Sequence, residues 1–358
     1  MEHKIEVVAP GRICLFGDHQ DYLGLPIIAC AIDRNITLKA KYNNRQVLRI
    51  SMPDIKEERI IDLQNVIEPI SNIDYFVSSI KVLKEVDCIP DKGFDIEITG
   101  NIPINAGLSS SSAIIVAWIA FLLKAYGSNI TVTPELIGKL AYNAEVVYYK
   151  APGGLMDQYT ISIGNLVFID TVDGHHTIID KKIESLIVGE SGVPKKTLGV
   201  LKNLRGNAQS AINSVQTEVP GFKMIKSQIE DFEKYKHLVD DALKPVFFAA
   251  IRNFEITKLA YKELQNNEMD LFKVGKLMTA HHLILKNILK ITVPIIDNMV
   301  DGAIRAGAMG AKIVGSGGGG SIVALTSPEN EANVIKGIMD GGAKSAYKVD
   351  IADGVRVI

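Results

Sequence analysis

The sequence predicts a two-lobed protein built from both strands and helices. Its 358 residues exceed the roughly 250 to 300 at which a single hydrophobic core stops growing, so two domains or lobes are expected. Short stretches that alternate apolar and polar residues predict strands in the first half of the chain, and amphipathic stretches predict helices over residues 204–289. This change of pattern places a boundary near residue 205, which divides the chain into lobes of residues 1–205 and 206–358.

The elements of the first half follow from local patterns and from end signals. Strands are predicted over residues 5–8, 26–41 and 94–99, because these runs are rich in Ile or alternate in polarity. Residues 109–126 are apolar nearly all round and form too long a run for a strand. They therefore predict a buried helix that ends at Gly127.

The remaining elements are marked by caps and by glycines. A second helix is predicted over residues 133–149, because the sequence Thr-Pro-Glu supplies a cap residue, a first-turn proline and an early acid. A strand is predicted over residues 166–170. Near the end of the chain, strands over residues 311–314 and 321–325 flank a glycine run, and one more helix begins after Ser327.

The composition argues against several classes of protein. Lys and Arg number 39 against 41 Asp and Glu, and without a concentrated basic tract the chain has no electrostatic footprint for a nucleic acid or an anionic membrane. The cysteines Cys14, Cys30 and Cys88 are scattered without metal-binding spacing, which indicates a reducing compartment rather than a disulfide framework or a structural zinc. No apolar run approaches roughly 18 residues, and the first residues form no signal-peptide core. We therefore expect a cytoplasmic protein that acts on a small molecule.

A glycine-rich stretch, GSGGGGS, occupies residues 315–321 and satisfies the pattern G-x-G-x-x-G at Gly315, Gly317 and Gly320. A dinucleotide-binding fingerprint requires a helix directly after the glycines, but here the run SIVAL predicts a strand. This context excludes the Rossmann interpretation. What remains is a strand, loop and strand unit, which fits either a tight hairpin alone or a loop packed against a second backbone.

A second stretch, GLSSSSA at residues 107–113, leads straight into the predicted buried helix. Backbone N–H groups and the positive end of the helix dipole converge there, and the serine hydroxyls add donors that can also bind Mg²⁺. The stretch therefore predicts a phosphate site. A helix cap without a ligand would need only one serine and leaves the others unexplained. The chain has neither a Walker A sequence nor the H-R-D and D-F-G motifs of protein kinases.

Two further stretches combine charged residues with glycines. The first, PGRICLFGDHQDYLG, follows a predicted strand and contains Arg12, Asp18, His19 and Asp21. The second, GGLMDQ, places Asp157 after a glycine pair. Carboxylates accept hydrogen bonds from vicinal hydroxyls and histidine can donate one, so the first stretch suits a sugar, and an acid paired with an arginine could orient or deprotonate a hydroxyl. Taken singly, the first stretch could also be a solvated turn and Asp157 a helix cap.

Four stretches resemble the GHMP kinase superfamily, and within it the galactokinase family most. They are, in chain order, PGRICLFGDHQDYLG, PINAGLSSSSA, APGGLMDQYT and KIVGSGGGGSIVAL, and the resemblance covers residues 8–325. The resemblance implies a two-lobed α+β fold, with a mixed sheet in the N-terminal lobe and a C-terminal lobe that resembles a ferredoxin-like plait. It places the active site between the lobes and implies that the glycine stretch of residues 315–321 braces the phosphate loop.

The same resemblance implies roles for individual residues. Asp157 is implied as the catalytic aspartate and Arg12 as its partner, while Ser111 and Glu145 are implied as Mg²⁺ ligands. The residues implied to bind the substrate are Asp18, His19, Asp21 and Gly154. The nucleotide phosphates would be bound by Gly107, Leu108, Ser109, Ser110, Ser111 and Ser112. The glycine motif would comprise Gly315, Gly317, Gly318 and Gly319.

The function that this resemblance implies is Mg²⁺- and ATP-dependent phosphorylation of the anomeric hydroxyl of galactose or a close relative. Asp18 stands where galactokinases usually carry glutamate, and the family tyrosine that closes over the sugar has no clear counterpart, with Lys202 near its place. Another sugar, such as an N-acetylhexosamine, a uronic acid or a heptose phosphate, therefore stays open as the acceptor. A non-catalytic sugar sensor is disfavoured because the catalytic groups are all present, and mevalonate or homoserine because the acids suit a polyol. The sequence leaves the oligomeric state open.

Overall fold

The computed structural model describes residues 4–65, 73–183, 185–195 and 198–358. The strands within these residues are β1 (Lys4–Phe16), β2 (Ile27–Tyr42), β3 (Val47–Met52), β4 (Glu57–Asp62), β5 (Phe94–Gly100), β6 (Leu166–Ile169), β7 (His176–Ile178), β8 (Ser185–Glu190), β9 (Gly310–Val314), β10 (Ser321–Thr326), β11 (Ser345–Val349) and β12 (Arg356–Val357). The helices are α1 (Tyr75–Leu83), α2 (Ser110–Tyr126), α3 (Pro134–Tyr142), α4 (Met156–Ile163), α5 (Leu198–Glu218), α6 (Glu230–Tyr235), α7 (Lys244–Leu264), α8 (Leu271–Asn287), α9 (Pro294–Arg305) and α10 (Glu331–Asp340).

The larger sheet has the strand order β12-β1-β2-β5-β3-β4, with β6 paired to β2 and β7 paired to β6. Among the described strands only β3 and β5 run parallel, so the sheet is mixed, as expected for the N-terminal lobe. Helix α2 packs against β1 and β2, and its side chains Trp118 and Phe121 are fully buried. The predicted buried helix is therefore confirmed. It ends at Gly127, whose φ of 79° favours glycine.

The smaller sheet is antiparallel, with the strand order β11-β8-β10-β9. Helices α8 and α9 pack against β9, and α10 packs against β8 and β11. This arrangement agrees with the α+β fold expected for the C-terminal lobe. The boundary near residue 205 stays a prediction, but β8 precedes it and already pairs in the smaller sheet. At the other end of the chain, β12 returns to pair with β1 in the larger sheet.

Strand β1 is longer than the predicted strand over residues 5–8 and runs as far as Phe16. In the sequence alone, the proline and the glycine in its middle predict a break in the strand. The strand instead continues through them because its register with β2 shifts at Pro10 and Gly11 and again between Cys14 and Phe16. This extension carries Arg12 into the centre of the molecule, where 2% of its surface is exposed.

The helix predicted over residues 133–149 is divided in the structure. Helix α3 ends at Tyr142, and a π-helical turn over Asn143–Val147 follows it. Such a turn accommodates an extra residue in the helix and is frequent at functional sites. Here it carries Glu145, one of the residues that sequence analysis assigns to the site.

The helical segment predicted over residues 204–289 corresponds to α5 through α8. Helices α5 and α7 pack together, and their apolar residues form a cluster with Leu25. Helix α5 also contacts the short turn Asp21–Leu23, so the helical layer adjoins the first charged stretch. Within the described ranges, no helix combines the length and the apolar character needed to cross a bilayer.

Candidate active site

Two adjoining cavities lie where the sequence motifs of both lobes meet. The first measures about 300 Å³ and is lined by the end of β1, the start of α4 and the glycine motif, residues 315–321. The second measures about 230 Å³, and its lining is mainly apolar, with six isoleucines and a methionine. Ser111 and Lys195 line both cavities. The cavities therefore adjoin at the phosphate loop, residues 107–112.

Asp157 lies in the first turn of α4 and is held from two sides. Arg12 donates from Nε to Oδ1 at 2.8 Å and places Nη2 2.7 Å from the same oxygen, while Ser109 Oγ donates to Oδ2 at 2.6 Å. Arg12 also donates from Nη1 to the carbonyl oxygen of Gly107 at 2.6 Å. Burial acts to raise the pKa of Asp157, but Arg12, Ser109 and Lys195 outweigh it and lower the pKa below its ordinary value. Asp157 is therefore ionised at neutral pH.

Asp21 lies beside the segment that leads into Asp157. A Cβ atom on Gly154 would overlap the Asp21 carboxylate, so only glycine at that position allows this approach. Oδ1 of Asp21 accepts from the backbone N–H of Tyr22 at 2.9 Å. Burial, together with the charge of Asp157, raises the pKa of Asp21 to about 7. Two carboxyl groups with different protonation behaviour thus line the same cavity.

His19 and Tyr22 complete this side of the cavity. His19 has a φ of 63°, and its Nδ1 lies 3.3 Å from the hydroxyl oxygen of Tyr22. Burial lowers the pKa of His19 to about 4, so its ring is neutral at pH 7. Sequence analysis did not single out Tyr22. Its position directly after Asp21 in the run DHQDY was the available signal.

The phosphate loop enters α2 with an open first turn. Gly107 and Ser109 have φ angles of 86° and 61°, in the left-handed region, and these conformations turn the chain into the helix. Among the described residues no side chain caps the N-terminus of α2, which leaves its amide N–H groups for an anion. Leu108 is buried beneath the loop, Ser110 is half-buried and Ser111 is exposed.

The glycine motif packs backbone to backbone against the phosphate loop. A Cβ atom on Gly107 would lie 2.8 Å from the carbonyl oxygen of Val314, and one on Gly320 would lie 3.0 Å from that of Ala106. Side chains at these positions would force the two segments apart. Positive φ angles also occur at Gly315, Gly317, Gly318 and Gly319. At the first residue of the motif, the N–H of Gly315 donates a hydrogen bond to Oδ1 of Asp18 at 3.0 Å.

Glu145 lies beside the phosphate loop on the π-helical turn. Its Oε1 accepts from Ser112 Oγ at 3.1 Å, and its Oε2 accepts from Gln158 Nε2 at 2.6 Å. Burial raises its pKa to about 7, and the charge of Asp157 adds to the rise. Of the loop serines, Ser112 is the one bonded to Glu145, whereas Ser111 lines both cavities. That Ser111 binds Mg²⁺ stays a prediction.

Asp18 lines the first cavity with the other residues implied to bind the substrate, but its carboxylate is bonded to the opposite lobe. Only 2% of its surface is exposed, and its Oδ2 lies 2.5 Å from Nζ of Lys312 in the smaller sheet. Burial acts to raise the pKa of Asp18, but Lys312 outweighs it and the pKa is lowered. The structure thus brings Asp18, His19, Asp21 and Gly154 to the cavity that Asp157 lines, and of these it bonds Asp18 to Lys312 of the opposite lobe.

Lys195 is a site residue that sequence analysis missed. It follows β8, lines both cavities and lies near the charges of Asp157 and Glu145, and burial lowers its pKa. A single lysine after a strand belongs to no motif. Its position after the short turn S-G-V-P was the one signal in the sequence. Lys202, which sequence analysis placed near the family tyrosine, is exposed on α5, and its neighbour Leu201 lines the first cavity.

Three family models match the chain. The model described as the GHMP kinases N terminal domain matches residues 74–165, and the model described as GHMP kinases C terminal matches residues 260–341. A third, described as the galactokinase galactose-binding signature, matches residues 2–41. The first match contains the phosphate loop and Asp157, the second contains the glycine motif, and the third contains Arg12.

Curated relatives with two activities match nearly the whole chain. A galactokinase of Chloroflexus aurantiacus is 28% identical over 344 residues, which cover 94% of this chain and 87% of the relative. A mevalonate kinase of Thermococcus sibiricus is 26% identical and covers 99% of this chain and 98% of the relative.

The solved structures show the same fold. The galactokinase of Lactococcus lactis, complexed with galactose, superposes with a TM-score of 0.89 at 24% identity, and the match covers 99% of this chain and 95% of that one. The mevalonate kinase of Methanococcus jannaschii superposes with a TM-score of 0.72 at 24% identity, with 99% of each chain covered.

Proposed function

The chain belongs to the GHMP kinase family, and from this premise we propose that it is an ATP-dependent sugar kinase that phosphorylates the anomeric hydroxyl of galactose or a close relative. The observation that carries the proposal is the carboxylate of Asp157, which lines the first cavity and is bonded to Arg12 and to Ser109, a residue that lines the second cavity. An acid in that position can meet a hydroxyl on one side while phosphates occupy the other.

The nucleotide is assigned to the apolar cavity and the phosphate loop. Isoleucine side chains suit the flat face of a base, and the open first turn of α2 presents amide N–H groups and the positive end of the helix dipole to phosphate oxygens. Lys195 borders both cavities, so its ammonium would neutralise charge on the transferred group together with Arg12.

The acceptor is assigned to the first cavity, with Asp21 and His19 as hydrogen-bonding partners of its hydroxyls. The acceptor oxygen forms a bond to the γ-phosphorus, the bond from that phosphorus to the bridging oxygen breaks, and ADP leaves with the bridging oxygen. Asp157 orients the hydroxyl and receives its proton. The lowered pKa keeps Asp157 ready to accept, because it is ionised before the acceptor arrives.

The residues beside the phosphate loop fit a Mg²⁺ ion. Glu145 and the hydroxyls of Ser111 and Ser112 are hard oxygen donors, which Mg²⁺ prefers. Within the part of the chain that the structure describes, no cluster of three or more His, Cys, Asp or Glu side chains could hold a metal, so phosphate oxygens and water would complete the coordination. Mg²⁺ held by Glu145 and a serine of the loop would supply further neutralisation of the phosphoryl charge.

The galactose-binding signature over residues 2–41 directs the proposal to a sugar rather than to mevalonate. One observation keeps a second sugar as the alternative acceptor. Asp18, implied by the family resemblance to bind the sugar, has both carboxylate oxygens bonded to protein groups. A sugar that differs from galactose in the substituent nearest this position would suit the same catalytic residues.

The proposal is tested by measuring ADP release with galactose and by replacing Asp157 with Asn. We expect kcat to fall about 10²- to 10⁴-fold, because the variant loses the oriented proton acceptor, while ATP binding changes little. Asp91→Asn is the control, since Asp91 is an exposed acid outside both cavities. A variant at position 157 with the wild-type rate would refute the assignment.

A further inference from the structure

Each oxygen of the Asp18 carboxylate is bonded to a protein group, although Asp18 lines the first cavity. Its Oδ2 lies 2.5 Å from Nζ of Lys312, and its Oδ1 accepts from the N–H of Gly315 at 3.0 Å. Both partners belong to the smaller sheet and its glycine motif, whereas Asp18 follows β1 of the larger sheet. These two bonds therefore join the lobes beneath the cavity.

Lys312 uses all its hydrogen-bond donors within the protein. Its side chain is fully buried on β9, and besides Asp18 its Nζ donates to the carbonyl oxygens of Cys14 at 3.0 Å and Ile313 at 2.8 Å. An ammonium group has three N–H donors, and all three are used. Lys312 does not line the cavity. It therefore has no N–H left for a substrate.

The backbone around Asp18 directs the side chain toward Lys312. Gly17 has a φ of 100°, and a Cβ there would lie 2.6 Å from a side-chain atom of Ile27, while His19 has a φ of 63°. These two left-handed residues on either side of Asp18 turn its carboxylate inward. Asp21 lies beyond the turn and reaches the cavity beside Gly154.

The connection continues from Asp18 to the phosphate loop. Gly315, which donates to Asp18, packs against Gly107, since a Cβ on Gly315 would lie 3.3 Å from the carbonyl oxygen of Gly107. Gly107 in turn accepts from Arg12, the partner of Asp157. A displacement of Asp18 would therefore be transmitted to the residues assigned to the phosphates rather than only to the acceptor.

We propose that Asp18 is a positioning residue rather than an acceptor ligand: the Asp18–Lys312 pair fixes the acceptor loop, residues 17–24, to the glycine motif and through it to the phosphate loop. Carboxylate recognition of the acceptor then rests on Asp21. The inference relies on the proposed kinase function for its kinetic readout, but its structural part can be tested without turnover.

The test compares Asp18→Asn, Lys312→Met and the double variant. Each single change leaves a buried charge without its partner, whereas the double change removes both charges, and Asn can still accept from Gly315. We expect both single variants to lower kcat and raise the KM for ATP, with the acceptor KM within about twofold of wild type. The double variant should regain kcat and KM for ATP close to those of wild type. The double-mutant cycle should show a coupling of at least about tenfold in the unfolding equilibrium constant.

Glu263→Gln is the matched control. Glu263 also bonds a lysine, Lys273 at 2.6 Å, and a backbone N–H, that of Asp270 at 3.0 Å, but it lies on α7 and lines neither cavity. This variant should lower the melting temperature and leave both KM values unchanged. Loss of stability alone therefore cannot produce the pattern expected for Asp18 and Lys312.

An acceptor ligand would give a different result. If Asp18 binds the acceptor, Asp18→Asn raises the acceptor KM about tenfold or more, the double variant keeps that increase, and the proposal is overturned. If the double variant does not fold, Lys312→Gln replaces it, because Gln keeps a donor for Asp18; kcat and KM for ATP no closer to wild type in that variant than in Lys312→Met would equally overturn the proposal. Should the wild-type chain phosphorylate no sugar, the kinase proposal fails, and the unfolding cycle still decides whether the pair is coupled.

Discussion

The two sides of the cavity are built differently. On the phosphate side, Asp157, Arg12, Ser109 and Glu145 are held by hydrogen bonds to one another or to the phosphate loop and α4. On the acceptor side, His19, Asp21 and Tyr22 lie on a loop whose direction is set by left-handed residues, and its first acid is bonded to the other lobe. The type of reaction therefore depends on residues that are hydrogen-bonded to one another, whereas the choice of acceptor depends on the backbone conformation of a single loop.

We expect the largest effect on kcat from a change at Arg12, on the phosphate side of the cavity. Replacement by Lys should lower kcat roughly 10²- to 10³-fold, because a single ammonium cannot bond Oδ1 of Asp157 through two nitrogens and the Gly107 carbonyl through a third. The acceptor KM should change little. Steady-state kinetics with the exposed control Arg45→Lys measure this. A fall of less than about threefold would show that the phosphate side does not act as a bonded set.

A change at Asp21 should affect the acceptor side alone. We expect Asp21→Asn to raise the acceptor KM about tenfold or more at pH 8, where the Asp21 carboxyl is mostly ionised and the variant loses a charged hydrogen-bond acceptor, while the KM for ATP stays the same. An equal rise in both KM values would contradict the division of the cavity into two sides.

The same variant makes a separate prediction for stability. Burial raises the pKa of Asp21 from 3.8 to about 7, so its contribution to stability is present below pH 4 and is lost as the pH rises through 7. Asp21→Asn should therefore melt higher than wild type at pH 8 but not at pH 4. Thermal unfolding at both pH values measures this, and Glu145 does not affect the comparison because it titrates in both proteins.

Lys195 tests whether the two cavities share one phosphate position. Lys195→Met should raise the KM for ATP roughly tenfold and leave the acceptor KM unchanged, because the lost cation lies where the cavities adjoin. Lys262→Met, an exposed change on α7, is the control. A rise in the acceptor KM alone would move Lys195 to the acceptor side.

The smallest effect concerns Mg²⁺ and pH. Since burial raises the pKa of Glu145 to about 7, its carboxyl is increasingly protonated below that pH and the ion must displace the proton. The Mg²⁺ concentration for half-maximal rate should therefore rise as the pH falls from 8 to 6. The variant Glu145→Gln should need more Mg²⁺ throughout and show little of this pH dependence. The same dependence in wild type and variant would exclude Glu145 as its cause.

Sequence reasoning succeeded where chemistry is carried by local motifs. The buried helix after the serines and the strands around the glycine motif follow from patterns of a few residues, and the mixed sheet was implied by the family resemblance. Arg12 and Asp157 are 145 positions apart but each lies in its own recognisable stretch, so the pair could be anticipated. These are features that a short window of sequence can contain.

The features that were missed depend on distant packing. Asp18 is bonded to a lysine 294 positions away on a buried strand, and nothing near either residue indicates the pair. Lys195 becomes a site residue only because β8 joins the smaller sheet and ends beside the phosphate loop. The π-helical turn at Glu145 interrupts an otherwise regular helical pattern, and its extra residue leaves no local mark.

The central claim, that this site phosphorylates a sugar at its anomeric hydroxyl, is tested most directly by one measurement. ATP consumption with Mg²⁺ is followed over galactose, glucose, N-acetylgalactosamine, galacturonate, glucuronate, arabinose, a heptose phosphate and mevalonate, and phosphorus NMR fixes the position of the phosphate in each product. We predict turnover on galactose or a close relative with the phosphate on the anomeric oxygen. Turnover on mevalonate alone, or a sugar product with the phosphate at another position, would contradict it.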